Sequence, residues 1–328
     1  MSELHFVKHV LERGGEIKPL LIDPELTNGT GLCNPSVLVY NDTIIVNIRH
    51  VQYTIYHSET RKYEHQWGPL LYLNPNNDNT LTTVNYIALL DENLDIKTAK
   101  AVDTSKLDKP PLWEFVGLED GRLVDWNNKL YLTGVRRDLD TIGTGRMELS
   151  RIENINQEVV EVDRFRIPAP GADNSYCEKN WMPFRDLPFH YVKWTNPTEI
   201  VKVDPIKGTC DSIFQGEYAE REFALRGGSQ VLPYGDGYIA LNHETDLYRS
   251  DAGRKDATYR HRFTIWNKDF TVRKHSKLFT FLTTKLEFSC GMDEYRGDYL
   301  ITFGAQDNAA YILRVPAQVF HDFVEEDE

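Results

Sequence analysis

The chain has 328 residues, 41% of them hydrophobic, and a formal charge of −13. That apolar fraction supports a substantial core, and the acidic balance sets nucleic acid aside as a partner because it repels phosphate backbones. No run approaches the roughly eighteen apolar residues a membrane helix needs, and the opening MSELHFVKHVLERGGEIKPL has no basic stretch leading into an apolar one, so neither a membrane partner nor a secretion signal is expected.

Helical periodicity is confined to the two ends, HFVKHVLERG (5–14) and PAQVFHDFVEE (316–326). Between them the text alternates in short strand-like runs broken by Gly, Pro, Asn and Asp. One unit recurs five times: a short strand, a tight polar turn, and a second strand rich in aromatic and β-branched residues. The copies run from Asn34 to Arg49, Glu119 to Val135, Lys179 to Trp194, Gly227 to Glu244 and Ser289 to Asp307. Turns such as NN, GDG and RGD suit hairpins, because Gly and Asn tolerate positive φ. A further strand follows most copies, at 147–153, 198–204, 261–270 and 310–315. A hairpin plus outer strands repeating at this spacing predicts an all-β fold, a five-bladed β-propeller with short terminal helices. No Pro/Gly/Ser-rich linker divides the text, so residues 1–328 read as a single propeller domain.

Cys33, Cys177, Cys210 and Cys290 show no short metal-type spacing, which reads as reduced thiols in a cytoplasmic setting, with no metal and no cofactor expected.

In a propeller the first strand of each blade lines the central channel. Its start therefore places Asn34, Glu119, Asp120, Lys179 to Trp181, Gly228 to Gln230 and Cys290 around one mouth, the default position for an active site. The sharpest segment is GLEDGRL (117–123), with two adjacent acids at a strand start. Strand alternation predicts that only one of Glu119 and Asp120 faces the channel; an acidic turn is the plainer alternative. EKNWMPF (178–184) sets Glu178, Lys179, Asn180 and Trp181 together. Lys179 and Asn180 would meet polar substrate groups and Trp181 a sugar ring, or else Trp181 is core, as Trp usually is. Arg136, Arg137 and Arg146 offer planar forks suited to phosphate or carboxylate, although such arginines on strands are more often structural than functional. His243 and His190 carry the same two readings.

At these five segments the chain resembles glycoside hydrolase family 130, the β-mannoside phosphorylases and hydrolases. The family's EDPR resembles Glu119-Asp120-Gly121-Arg122, with Gly121 in place of Pro. Its KN resembles Lys179-Asn180, and its strand ending in Tyr-His resembles the one ending Asn242-His243. Its PCG…YGAAD resembles Ser289-Cys290-Gly291 and Phe303 to Asp307. The resemblance covers about residues 34–315. It implies a carbohydrate-active enzyme that cleaves or forms a glycosidic bond. Asp120 would be the catalytic acid, and Lys179 and His243, with Arg136, Arg137 or Arg146, would hold phosphate. The expected partners are an oligosaccharide or sugar phosphate, and inorganic phosphate. Distant propeller relatives also include glycosyltransferases, and a non-catalytic glycan-binding propeller is a further alternative. An acid working at neutral pH calls for a raised pKa, which partial burial of Asp120 would supply. Attack by water calls for a second carboxylate, with Glu178, Glu244, Asp293 and Asp307 as candidates.

Overall fold

The computed structural model describes residues 4–27, 31–55, 64–65, 68–72, 80–172, 175–249 and 255–326. Five sheets, antiparallel along their main strand order, form a five-bladed β-propeller. Blade I contains Leu32–Tyr40, Thr43–Val51, Leu81–Leu90 and Ile96–Ala101; blade II contains Glu119–Trp126, Lys129–Arg136, Arg146–Glu153 and Val160–Arg166. Blade III contains Met182–Pro183, His190–Thr195, Thr198–Asp204 and Thr209–Gln215. Blade IV is built on Gly237–Arg249, Lys255–Trp266 and Val272–His275, and blade V on Glu287–Tyr295, Asp298–Ala305 and Ala309–Val315. Glu16–Pro19, from the other end of the chain, pairs with Ala309–Val315 and completes blade V, which closes the ring. The two terminal helices are Phe6–Leu11 and Ala317–Glu325, and a single turn, Pro24–Thr27, is a third helix.

The repeated hairpins coincide with the inner strand pairs, with two departures. In blade III the first strand shrinks to Met182–Pro183. Pro183 has no N–H to give to the ladder, and the Arg185 N–H donates to Val231 O of blade IV instead. In blade IV the first strand is split into Ala224–Arg226 and Leu232–Tyr234, which pair separately with Gly237–Arg249. The strand expected over 261–270 starts earlier and stops at Trp266, because Asn267 N–H closes a turn on Thr271 O.

Each pair of neighbouring blades encloses its own apolar cluster. Leu38, Ile45, Leu123 and Leu132 fill the space between I and II; Trp126, Trp181, Tyr191 and Val201 fill that between II and III. Phe184, Ile200, Ala240 and Trp266 lie between III and IV, and Val37, Val46, Leu300 and Ile312 between V and I. Blades IV and V share a run of phenylalanines that also seats the terminal helices: Phe6, Phe263, Phe281, Phe303 and Phe320. A sheet packed on both faces explains why the inner strands read as nearly continuous apolar text. Each such side chain contributes about 1.5–3 kcal/mol by leaving water.

The axis below the mouth is filled. Gln230 is fully buried there; its Nε2 donates to Val37 O at 2.8 Å and Leu123 O at 2.7 Å, and its Oε1 accepts from Met292 N–H at 3.0 Å. Arg185 spans between Asp125 (2.9 Å) and Asp293. These bonds join the inner strands of different blades, so the mouth is a cleft with a floor.

Candidate active site

The cleft is built by irregularities in the inner strands. The first strands of blades I, II and V bulge between Cys33 and Ser36, Glu119 and Arg122, and Phe288 and Gly291. Asn34 (φ 43°) and Asp120 (φ 51°) sit in two of these bulges in the left-handed region, and Asn180 (φ 61°) has the same conformation before the first strand of blade III. Asn and Asp are the side-chain-bearing residues that accept this conformation most readily. Close approach matters as well: a Cβ on Gly304 would lie 2.5 Å from Asn34 N. A bulge re-aims side chains and breaks strict alternation. Glu119 and Asp120 therefore both face the cleft, where alternation allowed only one.

As bounded by the described residues, the cleft has a volume of about 170 Å³, below the roughly 300–1,000 Å³ of drug-sized sites. One wall comes from blades I, II and V and is acidic. Arg49, 4% exposed, holds it together. Its NH1 donates to Asp120 Oδ1 at 2.8 Å, its NH2 to Glu119 Oε2 at 3.3 Å, and its Nε to Thr83 Oγ1 at 3.2 Å. Asn34 Nδ2 donates to the same Asp120 Oδ1 at 2.8 Å. No described protein group donates to Asp120 Oδ2. Asp307 has only a long 3.5 Å bond from Tyr53 OH and no cationic partner among the described residues.

These contacts separate the two aspartates. Burial presses the Asp120 carboxyl upward, but Arg49, Arg122, the Asn34 amide and Lys179 together outweigh it and hold the group below its ordinary value. The raised pKa expected for Asp120 is thus corrected: desolvation acts as anticipated, and the cations exceed it. Burial pushes Asp307 up; Arg49 opposes it, and the charges of Asp120 and Glu119 add to it.

The opposite wall, from blades III and IV, is basic. Lys179 is exposed and Arg226 half-buried, and neither forms an ion pair among the described residues. Tyr259 and Phe288 enclose His243, with ring centroids at 5.0 Å and 4.9 Å. Burial keeps His243 far below its ordinary pKa, helped by His261, Arg226, Lys179 and Arg122, so the ring is neutral.

Of the residues singled out from sequence, Asn34, Glu119, Asp120, Lys179, Asn180, His243 and Asp307 line this cleft. The others lie elsewhere. Arg136 follows Val135, which holds the ladder position that Arg49 and His243 hold in their blades. One step along a strand reverses the face, and Arg136 turns into blade II to Glu148 (2.9 Å) and Asp138 (3.4 Å). Arg137 bonds Gly143 O and Tyr176 OH, and Arg146 bonds Gly145 O and Ala172 O. Trp181 is wholly buried between blades II and III and donates to Glu178 Oε2 at 3.3 Å, so both face the core. Glu244 is held by Arg262 (2.9 Å), and Asp293 sits at the axis with Arg185. Asp307 is the one of the four second-carboxylate candidates that lines the cleft. Sequence reasoning missed Arg49, Tyr53, Arg226, Tyr259, Leu286 and Phe288. Arg49 had a usable signal, since it closes the first repeat copy and holds the ladder position that His243 holds in blade IV.

Among the described residues no group of three or more His, Cys, Asp or Glu could hold a metal ion. The four cysteines are free. No helix of the described residues is long and apolar enough to cross a membrane.

No family model matches the sequence, and no curated protein matches it. Solved structures do match in shape. A β-1,2-mannobiose phosphorylase from Listeria innocua, in complex with β-1,2-mannobiose, aligns with TM-score 0.58 at 14% identity, over 94% of this chain and 96% of its own. A structure from the GH130 family of mannoside phosphorylases, reported to contain glycoside hydrolases that target β-1,2 mannosidic linkages in Candida mannan, aligns with TM-score 0.60 at 11% identity, over 88% and 85%. A mannose phosphorylase from Leishmania mexicana, in complex with a phosphate ion, aligns with TM-score 0.53 at 10% identity, over 98% and 95%. The shared property is the five-bladed fold.

Proposed function

We propose that the chain is a glycoside phosphorylase, which breaks a glycosidic bond by transferring the sugar to inorganic phosphate. The observation that carries this reading is the division of the cleft. A carboxylate with one oxygen free faces two cations that have no carboxylate partner among the described residues. Asp120 donates a proton to the leaving oxygen, directly or through a substrate hydroxyl. Phosphate, held by Lys179 and Arg226, attacks the anomeric carbon from the other side as the C–O bond breaks. The products are a sugar phosphate and the released sugar. Fixed cations around a transferring oxyanion are an effective form of electrostatic catalysis.

The depressed pKa of Asp120 fits this sequence of events. Arg122 and Lys179 contribute to holding Asp120 ionised. A phosphate anion beside Lys179 offsets part of that positive field, so its binding raises Asp120 towards the protonated form that an acid needs. A β-mannoside is the first substrate to test, because the Listeria innocua phosphorylase holds β-1,2-mannobiose.

Hydrolysis is the second reading, favoured by Asp307, a cleft carboxyl that could activate water and has no cationic partner among the described residues. The test is incubation of the purified chain with β-1,2-mannobiose and longer manno-oligosaccharides, with and without inorganic phosphate. Sugar 1-phosphate formed only with phosphate supports phosphorolysis, and reducing sugar released without it supports hydrolysis. No turnover under either condition, or unchanged rates in Asp120→Asn, overturns the proposal.

A further inference from the structure

A second cavity, of about 330 Å³, lies between blades I and II under the 103–118 connection. Exposed Asp108 and Lys109 mark its mouth. Its interior has two characters. Val102, Leu118, Leu132 and Ile152, each under 9% exposed, give it an apolar side. Asp138, Ser150 and Thr83 give it a polar one.

The polar side is built, and its buried charges are paired internally. Asp138 Oδ2 accepts from Gly117 N–H at 3.0 Å and from Arg136 NH1 at 3.4 Å, while Glu161 is bound by Arg164. Gly117 (φ 99°) permits this approach, since a Cβ there would stand 2.5 Å from Thr83 O. Asp138 Oδ1 and Ser150 Oγ have no hydrogen-bond partner among the described residues, and the two residues are only 5% and 3% exposed. Buried polar atoms normally find a partner. A wall that is apolar on one side, hydroxyl- and carboxylate-bearing on the other, and internally neutral matches an uncharged ring with hydroxyl groups. The volume falls within the range of small-molecule sites, roughly 300–1,000 Å³.

The cavity also shares a wall with the acidic side of the cleft. Thr83 Oγ1 accepts from Arg49 Nε at 3.2 Å, and Arg49 holds both Asp120 and Glu119. Asn85, another lining residue, accepts from Asn47 Nδ2 at 3.1 Å, and the same amide donates to Gly121 O beside Asp120. We infer that this cavity is a second binding site, for an uncharged polyhydroxylated ring of monosaccharide size, and that its occupancy is transmitted to Arg49 through Thr83. The inference rests on the cavity itself and holds or fails apart from phosphorolysis.

The test is calorimetric titration of the full chain with D-mannose, D-glucose and myo-inositol, paired with ¹⁵N NMR of the Arg49 side chain. At least one ring should bind, binding should persist in Asp307→Asn, and Val116→Trp, which fills the cavity from a half-buried position, should weaken it by about tenfold or more. Ligand should shift the Arg49 Nε resonance in Asp307→Asn but not in Val116→Trp. If Val116→Trp fails to fold, Thr82→Phe fills the same space and must give the same loss. No binding of any of the three rings to the wild-type chain overturns the inference. So does binding that Asp307→Asn abolishes and the cavity-filling variants leave unchanged.

Discussion

The two walls of the cleft handle charge in opposite ways. On the acidic wall one buried guanidinium is shared between two carboxylates at 2.8 and 3.3 Å, and an asparagine amide fixes the first of them. On the basic wall Lys179 and Arg226 reach the same space with no carboxylate partner among the described residues. The acidic side is preorganised by the protein and costs nothing further to assemble. The basic side is left for an incoming anion to complete. In the proposed reaction this asymmetry would separate the chemistry of the leaving group from the capture of the attacking group.

The largest effect should come from the acidic wall. Asp120→Asn keeps the shape and the bond from Asn34 or Arg49 but removes the proton. A positioned acid contributes about 10²–10⁴-fold, so turnover of β-1,2-mannobiose should fall by that factor, and because Arg49 keeps Glu119 as a counter-charge the loss of stability should stay below that of Arg49→Met. An equal loss from Lys179→Ala would erase the proposed division of labour.

Arg49→Met probes the same wall through stability. Removing one partner from a buried ion pair costs about 3–5 kcal/mol, and here two carboxylates lose their partner at once. Denaturant unfolding should register a loss of that order. Asp120 should also titrate higher, because burial would then be less opposed. A fully stable Arg49→Met chain would mean that the carboxylates are solvated well enough to need no counter-charge.

How much of this contrast was legible in the text follows from the same residues. The blades were legible because hairpin turns and doubly buried strands leave local signals, as in NPSVLVYNDTIIVNIR. The closing strand Glu16–Pro19 was not, since four residues carry no periodicity and their partner lies at the far end of the chain. Asn34, Asp120, Lys179 and His243 stood out as polar residues at repeat boundaries. Arg49 did not, because an arginine after TIIVNI reads as the exposed end of a strand. The shared exposure of Glu119 and Asp120 was hidden because alternation holds only where the ladder is regular, and a bulge is a property of strand pairing. Trp181 was ambiguous for a different reason: an indole serves equally well under a sugar or in a core, and only the packing of blade II on blade III decides.

The basic wall should yield a smaller effect with a different signature. Lys179→Ala and Arg226→Ala each remove a charge-assisted contact to phosphate, worth about 1.5–3 kcal/mol. That corresponds to a rise of roughly 10–100-fold in KM for phosphate. Stability should hardly change, because neither side chain is locked into an ion pair among the described residues. If hydrolysis is the true reaction, the rate without phosphate should survive both substitutions and be lost in Asp307→Asn.

The smallest effect concerns His261, a buried histidine beside the cleft's His243. His261 lies directly across the ladder from His243 and packs on Phe281 at 4.8 Å and Phe279 at 5.8 Å. Burial pushes His261 down to about 3 from an ordinary 6.5. The sign follows from linkage. Below pH 6.5 the unfolded chain takes up a proton that the folded chain refuses, so this group's share of stability is present above pH 6.5 and is lost as pH falls towards 3. Asp307, whose pKa is raised by burial, works in the opposite direction as the solution acidifies, so the informative quantity is a difference between variants. His261→Phe fits the surrounding aromatic cluster and cannot protonate. Its melting temperature should therefore fall less steeply than that of the wild-type chain as pH is lowered from 6.5, with the two curves parallel above that point. Curves that stay parallel throughout would mean that His261 is protonated as easily in the folded protein as in the unfolded one.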